Sequence, residues 1–492
     1  MLQIIFGIGN EYYHKLTLEE TEDLPEGLRF ITVDGQLAED SDRHTFENLA
    51  KMLNRKTTKI RTVTLQNIFF VSPEFLAALV SIATKAEMLN LTDVAWGDPG
   101  FAILMTSLMQ SNGIEDLSLV DCGNFPELTI QQMSMLFEGI AYSTSLDHLT
   151  LLRLPFGPHN DEAGRQFIHA LRRNRNLKHL ELQMDPFSDG LMISNILRAA
   201  LLETKVTAFD YTQNDIPGMI PLHIFDDLIC RDDCSLETLY LHRISIHPPS
   251  SKLPARIVKN LSLKALIMTQ NGMTSSMAAH IAEGFKSLEH LNICDNQISD
   301  LAPFDKLLLG DNAKLEVLVL FANPISEKDF LVFLEKLPEM KSLRSLVLSG
   351  ATFLESGVTA LPFLQSKVCR DALLNALWLN TTLENVHCHD DDGQDDESED
   401  DEEDDEEDQD GDDDAELFRA LLAVPLSLNR GGRRELQNGS TKSFPRGLWA
   451  LVLKRAMTLK YCSASDYWED GPECTAMRVD VVYWLLREKV IF

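Results

Sequence analysis

The sequence predicts an α/β solenoid, in which a parallel strand and a helix recur in each unit of the chain. Three observations predict it. A six-residue apolar pattern recurs about every 28 residues, helical periodicity fills several of the intervals, and no apolar run reaches the roughly 18 residues of a membrane span. The chain of 492 residues is long enough for several domains, but a repeat array lets one core run through its whole length.

The apolar pattern is L-x-x-L-x-L, with Leu, Ile, Val or another apolar residue at each core position. It occurs in thirteen units, whose first core residues are Leu28, Ile60, Ala86, Ile114, Leu146, Leu177, Val206, Leu236, Leu263, Leu288, Leu315, Leu343 and Leu383. The last two core positions alternate with polar residues, as a half-buried strand requires. The pattern is that of the leucine-rich repeat, which predicts a horseshoe with parallel strands on its concave face and helices on its convex face.

The stretches between the strands predict helices and turns. Helical periodicity is clear in residues 73–86, 130–143, 161–174 and 326–337. In four units an asparagine stands three residues after the third core position, where its amide can satisfy backbone groups as the chain turns. These asparagines are Asn214, Asn271, Asn296 and Asn323. Four other units have an apolar residue there, and we expect them to be less regular. These residues are Ile68, Val94, Leu154 and Ile244.

Several phrases resemble known leucine-rich-repeat proteins. ALWLNTTLENV, HALRRNRNLKHLEL and GFKSLEHLNICDNQIS are similar to the helix-to-strand joints of the ribonuclease-inhibitor-like class, and the resemblance extends over about residues 28 to 388. Towards the C-terminus, LNRGGR, LWALVLKRA and VVYWLLRE resemble the closing segment of leucine-rich-repeat proteins of diatom-type unicellular algae. Both resemblances imply a fold and neither implies a reaction.

The composition divides the chain into four segments. We expect an N-terminal cap in residues 1–27, the repeat array in 28–388, a disordered acidic loop in 389–416, and a last repeat with a helical cap in 417–492. The first residues, MLQIIFGIGN, have no basic residue before the apolar stretch, which argues against a signal peptide and favours a cytoplasmic or nuclear location. The eight cysteines are scattered and are interpreted as reduced thiols.

The formal net charge of -32 is concentrated in one segment. Between Asp390 and Glu416 there are 21 carboxylates and no Lys or Arg, so the rest of the chain carries -32 + 21 = -11. This balance disfavours nucleic acid and anionic membrane and favours a basic protein as the partner. Two interpretations of the acidic run are open: it is a solvated spacer, or it is an electrostatic arm that binds basic proteins.

The concave face is the predicted binding surface, because its strands hold solvent-facing side chains rigidly together. Its middle is polar and its C-terminal part is apolar. The residues predicted to contact a protein partner are His148, His179, Glu181, Asp210, Tyr240, Ile267, His290, Asn292, Val317, Val319 and Val347. An exposed apolar patch of this kind often marks a contact surface, unless a neighbouring loop covers it.

Catalysis is not predicted, although several of these side chains can bind metal or transfer protons. No acid, base and nucleophile set stands out, and no phosphate-binding loop, H-E-x-x-H helix or G-x-S-x-G elbow occurs. His387, Cys388, His389 and Asp390 form the tightest ligand-like cluster. Strand alternation turns Cys388 into the core, away from the two histidines, so no metal site is predicted there. The sequence predicts no cofactor.

The functional hypothesis is therefore a non-enzymatic scaffold that binds a protein partner through the concave face. Two alternatives are open. GTPase-activating proteins for the nuclear-transport GTPase also combine this repeat class with an acidic segment, so the chain could regulate a small GTPase. Acidic histone-binding repeat proteins are the other alternative, which the internal position of the acidic run disfavours. The oligomeric state is not predicted.

Overall fold

The fold is described from a computed structural model. It describes residues 3–8, 11–15, 28–34, 60–68, 86–94, 114–121, 130–154, 161–184, 190–213, 218–220, 235–246, 262–310, 313–349 and 366–388, together with 422, 426 and 429. The chain divides into two compact units, Met1–Leu263 and Lys264–Phe492, which are called unit 1 and unit 2.

Unit 1 contains a ladder of eight parallel strands. They are β3 (Leu28–Asp34), β4 (Ile60–Ile68), β5 (Ala86–Val94), β6 (Asp116–Val120), β7 (His148–Leu154), β8 (His179–Met184), β9 (Ala208–Gln213) and β11 (Thr238–His242). Each strand pairs with the next one of this series along the chain. Such an order arises when each repeat adds one strand beside its predecessor.

Two short additions extend unit 1. At the N-terminus a hairpin of β1 (Gln3–Ile8) and β2 (Glu11–Lys15) precedes the ladder, and β1 pairs antiparallel with β3. A second, two-stranded sheet pairs β10 (Gly218–Ile220) with β12 (Ile244–Ile246) in parallel. The hairpin therefore supplies backbone partners to the edge of the first repeat strand.

The helices of unit 1 lie between successive strands. They are α1 (Ile130–Tyr142), α2 (Asp161–Arg173) and α3 (Gly190–Leu202). In α1 the buried residues follow the three-four spacing of one helix face, and Phe137 lies 5.0 Å from Phe167 of α2 between ring centroids. Neighbouring helices therefore share one apolar layer.

Unit 2 repeats the arrangement with five parallel strands. They are β13 (Ala265–Thr269), β14 (His290–Asn292), β15 (Val317–Val319), β16 (Ser345–Val347) and β17 (Asn385–His387), paired in that order. The helices of unit 2 are α4 (Ser275–Gly284), α5 (Asp305–Leu308), α6 (Glu327–Lys336) and α7 (Lys367–Leu379), with 3₁₀ turns at Ala302–Phe304 and Leu337–Glu339.

The repeat predicted from the sequence is the repeat of the structure. The second core residue of all thirteen predicted units lies in one of the parallel strands, and all of them except Val386 are buried. Helices in the predicted stretches 130–143, 161–174 and 326–337 are confirmed, whereas 73–85 lies outside the described residues and Ala86 begins β5. The C-terminal stretches interpreted as helical, 443–457 and 477–491, also lie outside them. Leu422, Leu426 and Asn429 belong to the preceding stretch, which was interpreted as the last repeat, and they are helical.

A left-handed residue stands near the end of the strand in eight units. It stands two positions after the third core residue, at Asn67, Asp93, Asp121, Arg153, Arg243, Gln270, Asp295 and Ala322. None of these is glycine, although a side chain in this backbone region costs on the order of 1 kcal/mol. Neighbouring members also interact, because Arg153 pairs with Asp121, and Gln270 Nε2 donates to Asp295 Oδ2 over 2.7 Å. The backbone therefore has the same left-handed conformation at this position in eight repeats.

The position after the left-handed residue differs between units. Asn271, Asn296 and Asn323 are buried there, and Asn214 lies outside the described residues. Strands β4, β5 and β7 extend to include the apolar residue Ile68, Val94 or Leu154, whereas β11 ends before Ile244, which begins β12. The predicted irregularity therefore takes the form of longer strands in three of the four units.

Candidate functional site

The strand positions on either side of the second core residue form an open face, opposite the side chains buried in the core. In unit 1 they form two rows that run in register across the ladder. The first row contains Asp116, His148, His179, Ala208 and Thr238, and the second contains Ser118, Thr150, Glu181, Asp210 and Tyr240. Parallel pairing places successive members of a row about 5 Å apart. The structure thus brings together all five residues that the sequence predicted in this part of the face.

The two histidines lie side by side in the first row. The ring centroids of His148 and His179 are 5.1 Å apart. His148 Nδ1 lies 2.7 Å from Asp147 Oδ1, and Asp147 Oδ2 accepts a hydrogen bond from Lys178 Nζ over 2.9 Å. Partial burial raises the pKa of Asp147, but its hydrogen bonds with His148 and Lys178 outweigh that effect and lower it.

Burial shifts the ionisation of two more groups in the first row. It lowers the pKa of His179, and the neighbouring charge of His148 acts in the same direction. Asp116 was not among the predicted contact residues, yet it is in register with His148, and burial raises the pKa of its carboxyl. Burial therefore favours the neutral form of both groups, the carboxylic acid of Asp116 and the imidazole of His179.

The largest pKa shift in the two rows belongs to Asp210 of the second row. Glu181 and Asp210 are opposite each other on β8 and β9, and Thr150 Oγ1 donates to Glu181 Oε2 over 3.0 Å. Burial, with the adjacent charge of Glu181 as a second cause, raises the pKa of Asp210 to about 7. Tyr240 follows in the same row and is 41% exposed. An aromatic ring is therefore available to a ligand beside two carboxylates.

The open face of unit 2 is partly covered at two of the predicted contact positions. The sequence left open whether its apolar part is exposed, and Ile267 and Val319 each retain only 7% of their accessible surface. Val319 lies between Asn292 and Val347 in the register, and Ile267 lies beside Asn292. These two apolar side chains are therefore buried and do not form an exposed patch.

The other predicted residues of unit 2 are partly covered. Val317 and Val347 are half-buried, and burial lowers the pKa of His290. Asn292 Oδ1 accepts a hydrogen bond from the backbone N–H of Cys294 over 3.1 Å, so its amide is partly engaged within its own repeat. The C-terminal part of the face offers less free surface to a partner than the middle does.

The ligand-like cluster at the end of β17 is only partly described. His387 is exposed and Cys388 is buried, which is the alternation expected for a strand, while His389 and Asp390 lie outside the described residues. Among the described residues, no group of three or more His, Cys, Asp or Glu side chains is placed to hold a metal ion. No helix in the described part of the chain is long and apolar enough to cross a membrane.

Two asparagines tie successive repeats of unit 2 together. Asn296 Nδ2 donates to the carbonyls of Met268, Ile293 and Cys294, and Asn323 Nδ2 donates to those of Ile293 and Leu320. A ladder of buried asparagines at a fixed offset from parallel strands, with helices between them, defines a known repeat class. The fold is a leucine-rich-repeat solenoid.

Comparisons with known proteins add two structural likenesses. No family model and no curated protein matches the sequence. The leucine-rich-repeat chain is similar to the crystal structure of an internalin, inlF, of Listeria monocytogenes, with a TM-score of 0.38 and 14% identity over 73% of this chain and 86% of that one. It is also similar to the leucine-rich repeat-containing protein LegL7 of Legionella pneumophila, with a TM-score of 0.36 and 14% identity over 58% of this chain and 88% of that one. The assignment of the fold rests on the repeat itself.

Proposed function

We propose that the protein is a non-enzymatic scaffold that binds a protein partner through the open face of unit 1. The observation that carries the proposal is the pair of in-register rows across strands β6 to β11, where polar side chains face away from the core. Rigid strands hold these side chains in place before a partner arrives, which lowers the entropy cost of binding. Three of these side chains, Asp116, His179 and Asp210, are partly buried, and burial shifts the pKa of each towards its neutral form, which supports a surface that is already partly shielded from water.

Site-specific photo-crosslinking tests this proposal. A photoreactive amino acid at Thr150 replaces a side chain in the second row, and one at Glu138 replaces an exposed side chain of α1. We expect a discrete crosslinked protein from the Thr150 position and none from the Glu138 position, identified by mass spectrometry in cell extract. Equal capture from the two positions, or none from Thr150, would contradict the proposal.

We also propose that the acidic run is an insertion within the repeat array and that it binds basic proteins. Leu422, Leu426 and Asn429 are helical and buried, and they repeat the spacing of Leu373 and Leu377 in α7 and Asn380 directly after it. Asn429 Nδ2 donates to the carbonyl of Asn380 over 3.2 Å and to that of Leu383 over 2.7 Å. The residues before and after the run therefore pack on the same repeat, which supports the division into 28–388, 389–416 and 417–492.

Deletion of residues 390–416 tests the role of the run. We expect the shortened protein to unfold at nearly the same denaturant concentration, because lengthening or shortening a flexible loop changes stability by only about 0.6 kcal/mol per doubling. Binding to a basic protein such as a core histone should weaken, and the remaining affinity should depend less on salt. Unchanged affinity and an unchanged salt dependence would show that the run is a spacer. We also propose that the protein is located in the cytoplasm or the nucleus.

A further inference from the structure

The second row of unit 1 holds two carboxylates together without a cation. Glu181 and Asp210 are directly opposite on adjacent strands, where like charges destabilise a sheet. Thr150 donates to Glu181, but within the described residues Asp210 has no hydrogen-bond or ion-pair partner. Two ionised carboxylates therefore repel each other at this point of the face.

The rows around the pair carry no lysine or arginine in the described strands of unit 1. This holds at every position flanking the second core residue in β4 to β9 and in β11. Lys178, the basic residue nearest to Glu181 in the sequence, is engaged by Asp147, and burial lowers the pKa of His179. A cationic group of a partner would relieve the repulsion between the two ionised carboxylates.

The neighbours of Asp210 have the shape and chemistry that a long cationic side chain requires. Ala208 stands in the first row between His179 and Thr238, so the side-chain layer is thinnest there. Tyr240, 41% exposed, lies next to Asp210 in the second row. The arrangement combines a small residue, two hydrogen-bond acceptors and an aromatic face.

We propose that Glu181, Asp210 and Tyr240 form a receptor for an arginine side chain of the partner protein. The inference rests on the proposed binding function of this face and specifies the chemistry of its partner. A guanidinium group has five donors in one plane, so it can bridge two adjacent carboxylates and stack on a tyrosine ring at the same time. A lysine ammonium reaches the same charges but lacks the planar fork.

The ionisation of Asp210 gives the interaction a defined pH dependence. The groups around this carboxyl are His179 and Glu181 on β8 and Tyr240 on β11, and its pKa is raised to about 7 by burial and by Glu181. A bound guanidinium favours the ionised carboxylate, so binding below pH 7 must expel a proton. Affinity is therefore highest above about pH 7 and falls as the pH decreases towards 5.5, by up to tenfold per pH unit for one linked proton.

A pair of photoreactive peptides tests the proposal on the full chain. The probes are acetyl-Gly-Ser-Arg-benzoylphenylalanine-Gly-amide and the same peptide with citrulline, which has the shape of arginine but no charge. We expect the arginine peptide to label residues 178–213 and 236–243 at pH 8 at least tenfold more than the citrulline peptide does. Mass spectrometric mapping separates this labelling from any on the acidic run. Equal labelling of these segments by the two peptides would overturn the proposal.

Isosteric variants complete the test. The double substitution Glu181→Gln with Asp210→Asn removes both charges while keeping the size of each side chain, and Glu138→Gln is the matched control on α1. We expect the double variant to lose the labelling by the arginine peptide at least tenfold and the control to retain it. Retained labelling in the double variant would refute the receptor. If crosslinking from Thr150 captures a partner whose binding the double variant leaves unchanged, the binding function stands and the arginine site does not.

Discussion

The two units of the molecule build the same repeat with strands of different lengths. In unit 1 the parallel strands run for five to nine residues, whereas β14 and β15 of unit 2 have three. One contrast accompanies this difference in β5 and β14. The residue three positions after the third core residue is Val94, which lies within β5, and Asn296, which lies beyond the end of β14. The amide of Asn296 makes its own hydrogen bonds, whereas Val94 is in register with Ile68. The residue at this position therefore distinguishes these two repeats.

The side chain of Asn296 satisfies backbone groups where the chain turns away after β14. Its Nδ2 donates to three backbone carbonyls, including Met268 over 2.7 Å, and its Oδ1 accepts from the N–H groups of Asn271 and Met273 over 3.1 and 3.0 Å. These backbone groups belong to two successive repeats, so one side chain replaces several bonds of a sheet ladder. Buried backbone groups without such partners would be costly.

The largest expected effect is the loss of this asparagine. We predict that Asn296→Ala lowers the free energy of unfolding by about 3 to 4 kcal/mol, because several buried backbone groups lose their partner at once. Chemical denaturation of the variant measures the loss. Asn375→Ala removes an exposed amide of α7 and serves as the control, with an expected change of less than about 0.5 kcal/mol. If the two variants cost the same, the ladder is not what stabilises unit 2.

The reciprocal exchange tests whether asparagine alone suffices. Val94 is 2% exposed and is in register with Ile68 of β4, so its neighbour at this position is also apolar. We predict that Val94→Asn lowers the free energy of unfolding by about 2 to 3 kcal/mol. The new amide would be buried beside Ile68, whose side chain has no polar atom to form a hydrogen bond with it. Val94→Ile keeps the apolar contact and should cost less than about 1.5 kcal/mol. A neutral Val94→Asn variant would mean that any repeat can adopt the asparagine turn.

The open faces of the two units differ as well. That of unit 1 carries ionisable side chains, whereas that of unit 2 is partly covered. The folded-state pKa of Asp210 is about 7, above the usual value of roughly 3.9 for an unfolded chain. The folded state therefore binds an extra proton between these two values, and this residue makes the protein more stable as the pH falls from 8 to 5.

We predict that Asp210→Asn removes this dependence. At pH 8 the variant should be more stable than the wild type by about 1 kcal/mol or more, and this advantage should decrease towards pH 5. Denaturation at the two pH values, compared between wild type and variant, cancels the contributions of all other groups. Curves that differ by the same amount at both pH values would show that Asp210 is ionised normally.

The sequence predicted the fold far better than the surface. Core positions recur with a strict period, so strands such as β8 and β15 could be placed from their leucines. The exposure of a side chain on the open face leaves no comparable pattern in the sequence. The burial of Ile267 and Val319 arises only in the folded face, and the raised pKa of Asp210 depends first on burial and then on an adjacent glutamate from another repeat. Both are properties of neighbouring strands, about 25 to 30 residues apart in the chain.

The smallest expected effect concerns a feature that the two units share. The residue after the first core position forms ion pairs between repeats in both, as Lys178 with Asp147 in unit 1 and Arg344 with Glu384 in unit 2. Arg344 also lies 3.9 Å from Glu316 on its other side. All of these side chains are partly exposed, so solvent and salt weaken the attraction.

We predict that Lys178→Met and Arg344→Met each change the free energy of unfolding by less than about 1 kcal/mol at low salt, with the larger loss for Arg344 because it has two partners. In 1 M NaCl both losses should nearly vanish, because the screening length falls to about 3 Å. Methionine keeps the apolar stem of each side chain, so the comparison isolates the charge. A loss that persists in high salt would mean that the long side chains stabilise the repeats by covering apolar surface, and the ion pairs would then be incidental in both units.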